Sequence, residues 1–288
     1  MKKLIALAAV LALAISVAGC GSAPASSAPA SSDASPSSEA PAPSEGPSVV
    51  LKVGASPAPH AEILESVKAA LADKGITLEI TEFTDYVLPN NAVFDGSLDA
   101  NYFQHQPYLT TFNESNGTNL VSVGSIHFEP LGIYPGKTAS LDALADGAQI
   151  AVPNDPSNEA RALNLLAANG ILTLKEGVGL SATPLDIVDN PKNVKIVELE
   201  AVQIPNALAD VDLAVINGNY AVPAGIIDTV LVTEDPASEA AQEFANIVAV
   251  RPESKDDPAI AALVEALTSE ETRKFISEKY GAAVIPVF

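Results

Sequence analysis

Residues 49–83, VVLKVGASPAPHAEILESVKAALADKGITLEITEF, decide the fold. Val49-Val-Leu-Lys-Val53 reads as a strand, and Ala58 to Lys74 as a helix with apolar positions at Ile63, Leu64, Val67, Ala70 and Leu71. Gly75 closes that helix, and Ile76 to Phe83 is the next strand. The alternation continues with a short helix from Leu88 to Asp95 and a strand from Leu98 to Phe103. A helix entered through Pro107 and closed by Gly117 follows, and then a strand from Asn119 to Val123. This order predicts an α/β fold with a parallel sheet and helices on its faces.

Working outward, Gly124 to Gly136 (GSIHFEPLGIYPG) breaks the pattern and reads as a passage to a second domain. A second α/β series begins with the strand Gln149 to Val152. Asn154 to Asn158 opens the helix Glu159 to Asn169, and Val194 to Glu200 and Val211 to Ile216 are further strands. After a helix from Ser238 to Phe244, the apolar run Ala245 to Val250 reads as a return passage. Helices from Pro258 to Thr268 and from Glu270 to Tyr280 finish the chain. Two lobes follow, 49–129 with 245–288 and 130–244, joined by two crossings around a cleft.

In the other direction, residues 1–19 carry Lys2, Lys3 and an apolar run from Leu4 to Val17 that is short for a membrane span, the pattern of a secretory signal. It ends in Val17-Ala18-Gly19-Cys20, which resembles a bacterial lipobox, so Cys20 is the expected lipidation site. As the sole cysteine it has no disulfide partner. Residues 20–48 are mostly Ser, Ala and Pro, too poor in apolar surface to fold, and read as a disordered tether. The expected location is the outer side of the cell membrane, held by lipid. The net charge of −21 becomes about −23 once Lys2 and Lys3 leave with the signal, which argues against nucleic acid and anionic lipid surfaces as partners.

Chemistry concentrates in Asp99-Ala-Asn-Tyr-Phe-Gln-His-Gln-Pro-Tyr108. Tyr102, Phe103, His105 and Tyr108 gather there in a chain that is 5% aromatic, at a strand-to-helix junction where ligand pockets of α/β proteins form. Some of these rings are equally explained as core. The segment Asn154 to Arg161 offers a helix N-terminus suited to a carboxylate, with Arg161 one turn in, unless that arginine is a solvated surface cation. Val215-Ile-Asn-Gly-Asn-Tyr220 ends a strand in Asn217 and Asn219, which fit a zwitterionic ligand or the chemistry of a turn at Gly218.

Catalytic signatures are absent: the sequence has no G-x-S-x-G, no H-E-x-x-H, no S-x-x-K and no cysteine beyond Cys20, so no enzyme is expected. Gly132 to Thr138 approximates a phosphate loop but is one residue short. His60, His127 and His105 have no metal-ligand spacing, and His60 reads as a capping or surface residue. No cofactor and no metal are expected.

Thr84-Asp-Tyr-Val-Leu-Pro-Asn90, Asp99 to Leu109, Val152-Pro-Asn-Asp-Pro156 with Arg161, Asp189-Asn-Pro-Lys192 and Ala214-Val-Ile-Asn217 together resemble the NlpA family of methionine-binding lipoproteins. The resemblance runs in order from about Leu51 to the C-terminus. It implies a two-lobed periplasmic-binding-protein fold, type II-like with two hinge crossings, that delivers methionine or a close methionyl compound to the permease and ATPase of an ABC importer. It implies that Tyr86, Phe103, His105 and Tyr108 surround the thioether side chain. It further implies that Arg161 clamps the carboxylate and that Asn158 and Asn217 hold the groups on the α-carbon. Glu129 before Pro130, with His127 nearby, and Tyr102 depart from some members' pattern. L-methionine, D-methionine and a methionyl dipeptide are all compatible ligands. The alternative is a surface adhesion or sensor protein that reuses the fold.

Overall fold

The computed structural model describes residues 48–237 and 240–288, apart from the side chains of Ala240 and Ala241. The signal, Cys20 and most of the tether lie outside the described residues. In chain order the elements begin β1 (Val49–Ala55), α1 (Glu62–Ala72), β2 (Ile76–Glu82), α2 (Leu88–Phe94), β3 (Ala100–His105), α3 (Gln106–Asn116), β4 (Val121–Phe128), β5 (Gly132–Pro135), β6 (Gln149–Pro153) and α4 (Pro156–Ala168). They continue β7 (Thr173–Leu174), β8 (Ile187–Asp189), β9 (Lys195–Leu199), α5 (Ile204–Ala207), β10 (Leu213–Ile216), α6 (Gly218–Ala221) and β11 (Val232–Thr233). They end α7 (Ala240–Glu243), β12 (Asn246–Val250), α8 (Pro258–Leu267), α9 (Glu270–Tyr280) and β13 (Ile285–Pro286).

Two sheets organise these elements. The first has the strand order β13-β4-β12-β3-β1-β2, the second β11-β5-β10-β6-β9. The chain passes between them twice, from β4 to β5 through Glu129–Leu131 and from β11 to β12. The parallel-sheet expectation holds for β2-β1-β3 and for β9-β6-β10. It fails elsewhere, because β12 enters between β3 and β4 antiparallel to both and β13 lies antiparallel on the edge. β5 and β11 add antiparallel pairs to the second sheet.

Local differences have local causes. The first helix begins at Glu62 instead of Ala58, because Ala58 stands before Pro59 and is extended at φ −137°, ψ 144°. Its face Ile63, Leu64, Val67 and Leu71 packs into the first core with Leu51, Val53, Leu263 and Ile276, whereas Ala70 is exposed. β4 runs to Phe128, past the expected end at Val123. Gly124 does not stop it: a Cβ there would lie 2.9 Å from Val264 Cγ1, so the glycine marks the close approach of α8. Gly132 to Pro135 is β5 and not a phosphate loop. Among the described residues no helix is long and apolar enough to cross a membrane.

Candidate functional site

A small cavity opens where elements of the two sheets meet. Tyr86, Phe103, His105, Tyr108, Asn158, Arg161 and Asn217 all line it, together with Gln104, Glu129, Asn219 and Asn246.

The aromatic part comes from β3, α3 and the loop before α2. β3 ends two residues later than the sequence suggests, so that His105 is both its last residue and the N-cap of α3. Strand alternation then separates Tyr102, fully buried in the first core, from Phe103 and His105, which line the cavity. Phe103, Tyr108 and Tyr86 pack on one another with ring centroids 5.5–6.0 Å apart. His105 Nδ1 accepts from the Tyr108 N–H, so its Nε2 carries the proton and donates to Asn158 Oδ1 at 3.1 Å. Burial, with the Arg161 charge adding, lowers His105 to a pKa of about 3, which keeps the ring neutral.

The polar part is a connected network. Asn158 Oδ1 also accepts from Asn217 Nδ2 at 2.9 Å, while the Asn158 amide donates to both Asp155 oxygens. Asp155 is the N-cap of α4 and accepts from the Asn158 N–H at 3.0 Å. The expectation that this helix N-terminus offers itself to a ligand carboxylate is therefore corrected: the chain's own Asp155 already occupies it. Asn217 Oδ1 is buried and has no hydrogen-bond partner among the described residues. Asn219 is buried as well, its Oδ1 accepting from the Tyr86 hydroxyl at 2.6 Å, which goes beyond the chemistry of a turn.

Arg161 is 4% exposed, so the surface-cation reading fails. Its Nε donates to Glu234 Oε1 at 2.8 Å, and its Nη2 donates to Glu234 Oε2 at 2.5 Å and to the Glu129 carbonyl at 2.9 Å. The guanidinium lies 4.2 Å from the Phe244 ring centroid and 5.6 Å from that of Phe128. Nη1 makes no hydrogen bond among the described residues. Glu234, which sequence reasoning missed, also accepts from the Leu131 N–H at 2.9 Å and so ties the arginine to the first crossing.

Behind Glu129 lies a buried array that sequence spacing concealed. His127 Nε2 lies 2.8 Å from Glu129 Oε1, and its Nδ1 meets the Tyr102 hydroxyl. His60 is fully buried, contrary to its reading as a cap or surface residue; its Nε2 lies 3.0 Å from Asn246 Oδ1 and 3.4 Å from Glu129 Oε1. Burial lowers His60 to about 4 and His127 to about 3, and raises Glu129 against the opposing pull of His60 and Arg161. The three donor atoms fall within 4.8 Å of one another, although the histidines show no ligand spacing in the sequence.

The model of the NlpA lipoprotein family matches residues 51–288. A D-methionine-binding lipoprotein MetQ from Escherichia coli is 41% identical over 241 residues, covering 82% of this chain and 87% of its own. An ABC-transporter periplasmic substrate-binding protein from Coxiella burnetii superposes with a TM-score of 0.77 at 45% identity, over 82% of this chain and 100% of that one. A nutrient-binding protein from Burkholderia cenocepacia, bound to methionine, gives 0.78 at 43% identity over 83% and 100%. The fold is thus that of the two-lobed periplasmic binding proteins.

Proposed function

The chain belongs to the NlpA lipoprotein family, and from that premise we propose that it is an extracytoplasmic receptor, anchored through a lipid on Cys20, that captures methionine or a close methionyl compound. It delivers this ligand to the permease and ATPase of an ABC importer and performs no catalysis. Segments 49–129 with 245–288 and 130–244 act as lobes that close on the ligand.

One observation supports the ligand class most: the cavity joins an aromatic wall to a polar network that still has unused capacity. Tyr86, Phe103, His105 and Tyr108 enclose the thioether chain, where sulfur–aromatic contacts contribute about 0.3–1.5 kcal/mol each. Arg161 holds the carboxylate through Nη1, the nitrogen that Glu234 leaves free. Asn158 and Asn217 hold the α-carbon groups, and the unpaired Asn217 Oδ1 accepts from the ammonium.

Thermal unfolding against an amino-acid panel tests this. A ligand that binds the folded state alone adds roughly 4 kcal/mol at a thousandfold excess over Kd. For a domain of this size that is about 8–16 °C in Tm. Methionine or a methionyl compound is expected to give such a shift, and leucine and glutamate far less. A flat response by ligand-free protein to every methionine form refutes the proposal and favours the sensor reading.

A further inference from the structure

A second set of contacts lies at the rim of the cavity and joins the two sheets there. Tyr220, in α6, donates its hydroxyl to the Thr84 carbonyl at 2.9 Å. Its ring lies against Tyr86 with centroids 5.2 Å apart and planes 37° from parallel. The preceding residue, Asn219, accepts the Tyr86 hydroxyl. Two consecutive residues following β10 of the second sheet thus hold two residues of the loop following β2 of the first. That loop is itself braced, since Asp85 Oδ1 accepts from the N–H groups of Val87 and Leu88 at 2.8 Å each.

Tyr86 lines both the inner cavity and an outer groove, and Tyr108 does the same, whereas Tyr220 lines the groove alone. The Tyr86 ring is therefore the partition between ligand space and groove, with Tyr220 on its outer side. Bonds that exist only while the sheets are together favour the shut state over the open one by their full worth. Ligand leaves from the open state, so such bonds slow release without changing encounter.

We infer that Tyr220 is a closure latch: it touches no ligand, yet by holding Thr84 and Tyr86 against α6 it sets how fast the enclosed molecule escapes into the outer groove. The inference rests on the cavity being the ligand site.

Tyr220→Phe keeps the ring and removes the bond to Thr84. With full-length protein in detergent, radiolabelled methionine is chased by excess unlabelled methionine. The variant is expected to release it roughly three- to tenfold faster, the range for one neutral hydrogen bond, with association within about twofold and the ranking of methionine over leucine unchanged. Tyr280→Phe, which removes a hydroxyl bonded to Glu62 between α9 and α1, is the control and is expected to leave release unchanged. Release by Tyr220→Phe within about 1.5-fold of wild type, or a loss carried equally by association, overturns the latch. Deuterium uptake of segments 84–88 and 217–222 without ligand supplies a second readout. Faster exchange in Tyr220→Phe at both segments supports the latch, and unchanged exchange overturns it. If wild type binds no methionyl compound, the ligand proposal fails and the exchange readout still decides the latch.

Discussion

Glu234→Gln separates two demands on the Arg161 guanidinium. Glu234 is 12% exposed and takes two of the arginine's hydrogen bonds together with the Leu131 N–H. Glutamine keeps the shape but removes the charge, and it puts an amide N–H2 where an oxygen accepted. A hydrogen bond to a charged group contributes about 1.5–3 kcal/mol against 0.5–1.5 for a neutral one. With one acceptor also lost, ligand-free protein should be about 2 kcal/mol less stable, or roughly 4–8 °C lower in Tm. A bound carboxylate then becomes the guanidinium's principal counter-charge, so saturating methionine should recover much of the loss and bind at least as tightly. Arg161→Ala behaves oppositely: binding weakens by about 2–5 kcal/mol, roughly thirty- to several-thousandfold, and Glu234 is left buried without its partner. Arg161→Lys should rescue a part, lacking the planar fork. Calorimetric titration and thermal scans with and without ligand measure both. If Glu234→Gln loses the same Tm in both conditions and binds as poorly as Arg161→Ala, the reasoning is refuted.

A Cβ on Gly218 would lie 2.6 Å from Glu129 Oε2 and 3.0 Å from Glu129 Cβ, so Gly218→Ala should cost about 1–3 kcal/mol, read as a lower urea midpoint; an unchanged midpoint would contradict the close approach. His60, His105 and His127 titrate at about 4, 3 and 3 in the folded chain, below the roughly 6.5 of an unfolded histidine. Their contribution is therefore complete above that value and lost as pH falls through the window down to 4 and 3. Glu129, raised by burial, acts in the opposite sense: its contribution lies on the acid side and disappears as pH rises. Urea midpoints should decline from neutral to mildly acidic pH, with a shallower slope in His127→Gln, and a flat profile in wild type would count against the buried neutral rings. Cys20→Ser is expected to move the protein from the membrane fraction to the soluble one, and retention after a salt wash would contradict the lipid anchor.

Much of the candidate site was legible because local rules place it. Phe103, His105 and Tyr108, between a strand and a proline-led helix, line the cavity while Tyr102 goes to the core, and Gly117 at φ 65° ends α3 as its type predicts. What escaped was non-local. Glu234 stands 73 residues from Arg161, and His60 stands 186 from Asn246; no periodicity links such pairs. Arg161 was ambiguous for the same reason, since its burial depends on a carboxylate supplied 73 residues later, just after β11. The sheet directions were misread because alternation describes neighbours in sequence, and β12 reaches its place from more than a hundred residues beyond β3 and β4.

That position of β12 governs the order in which a chain emerging from its amino end can mature. β3 and β4 each bond to residues 246–250 and not to one another. Until those residues arrive, the early strands stand as an unzipped sheet with two open edges. The second sheet draws its strands from one uninterrupted stretch, Gly132 to Thr233, and can close while the rest is still being delivered. The middle of the polypeptide is therefore expected to finish before its beginning, with the first-made half waiting for the last-made segment as its clasp. Pulsed exchange during refolding should accordingly find the β6 and β10 amides protected before those of β3.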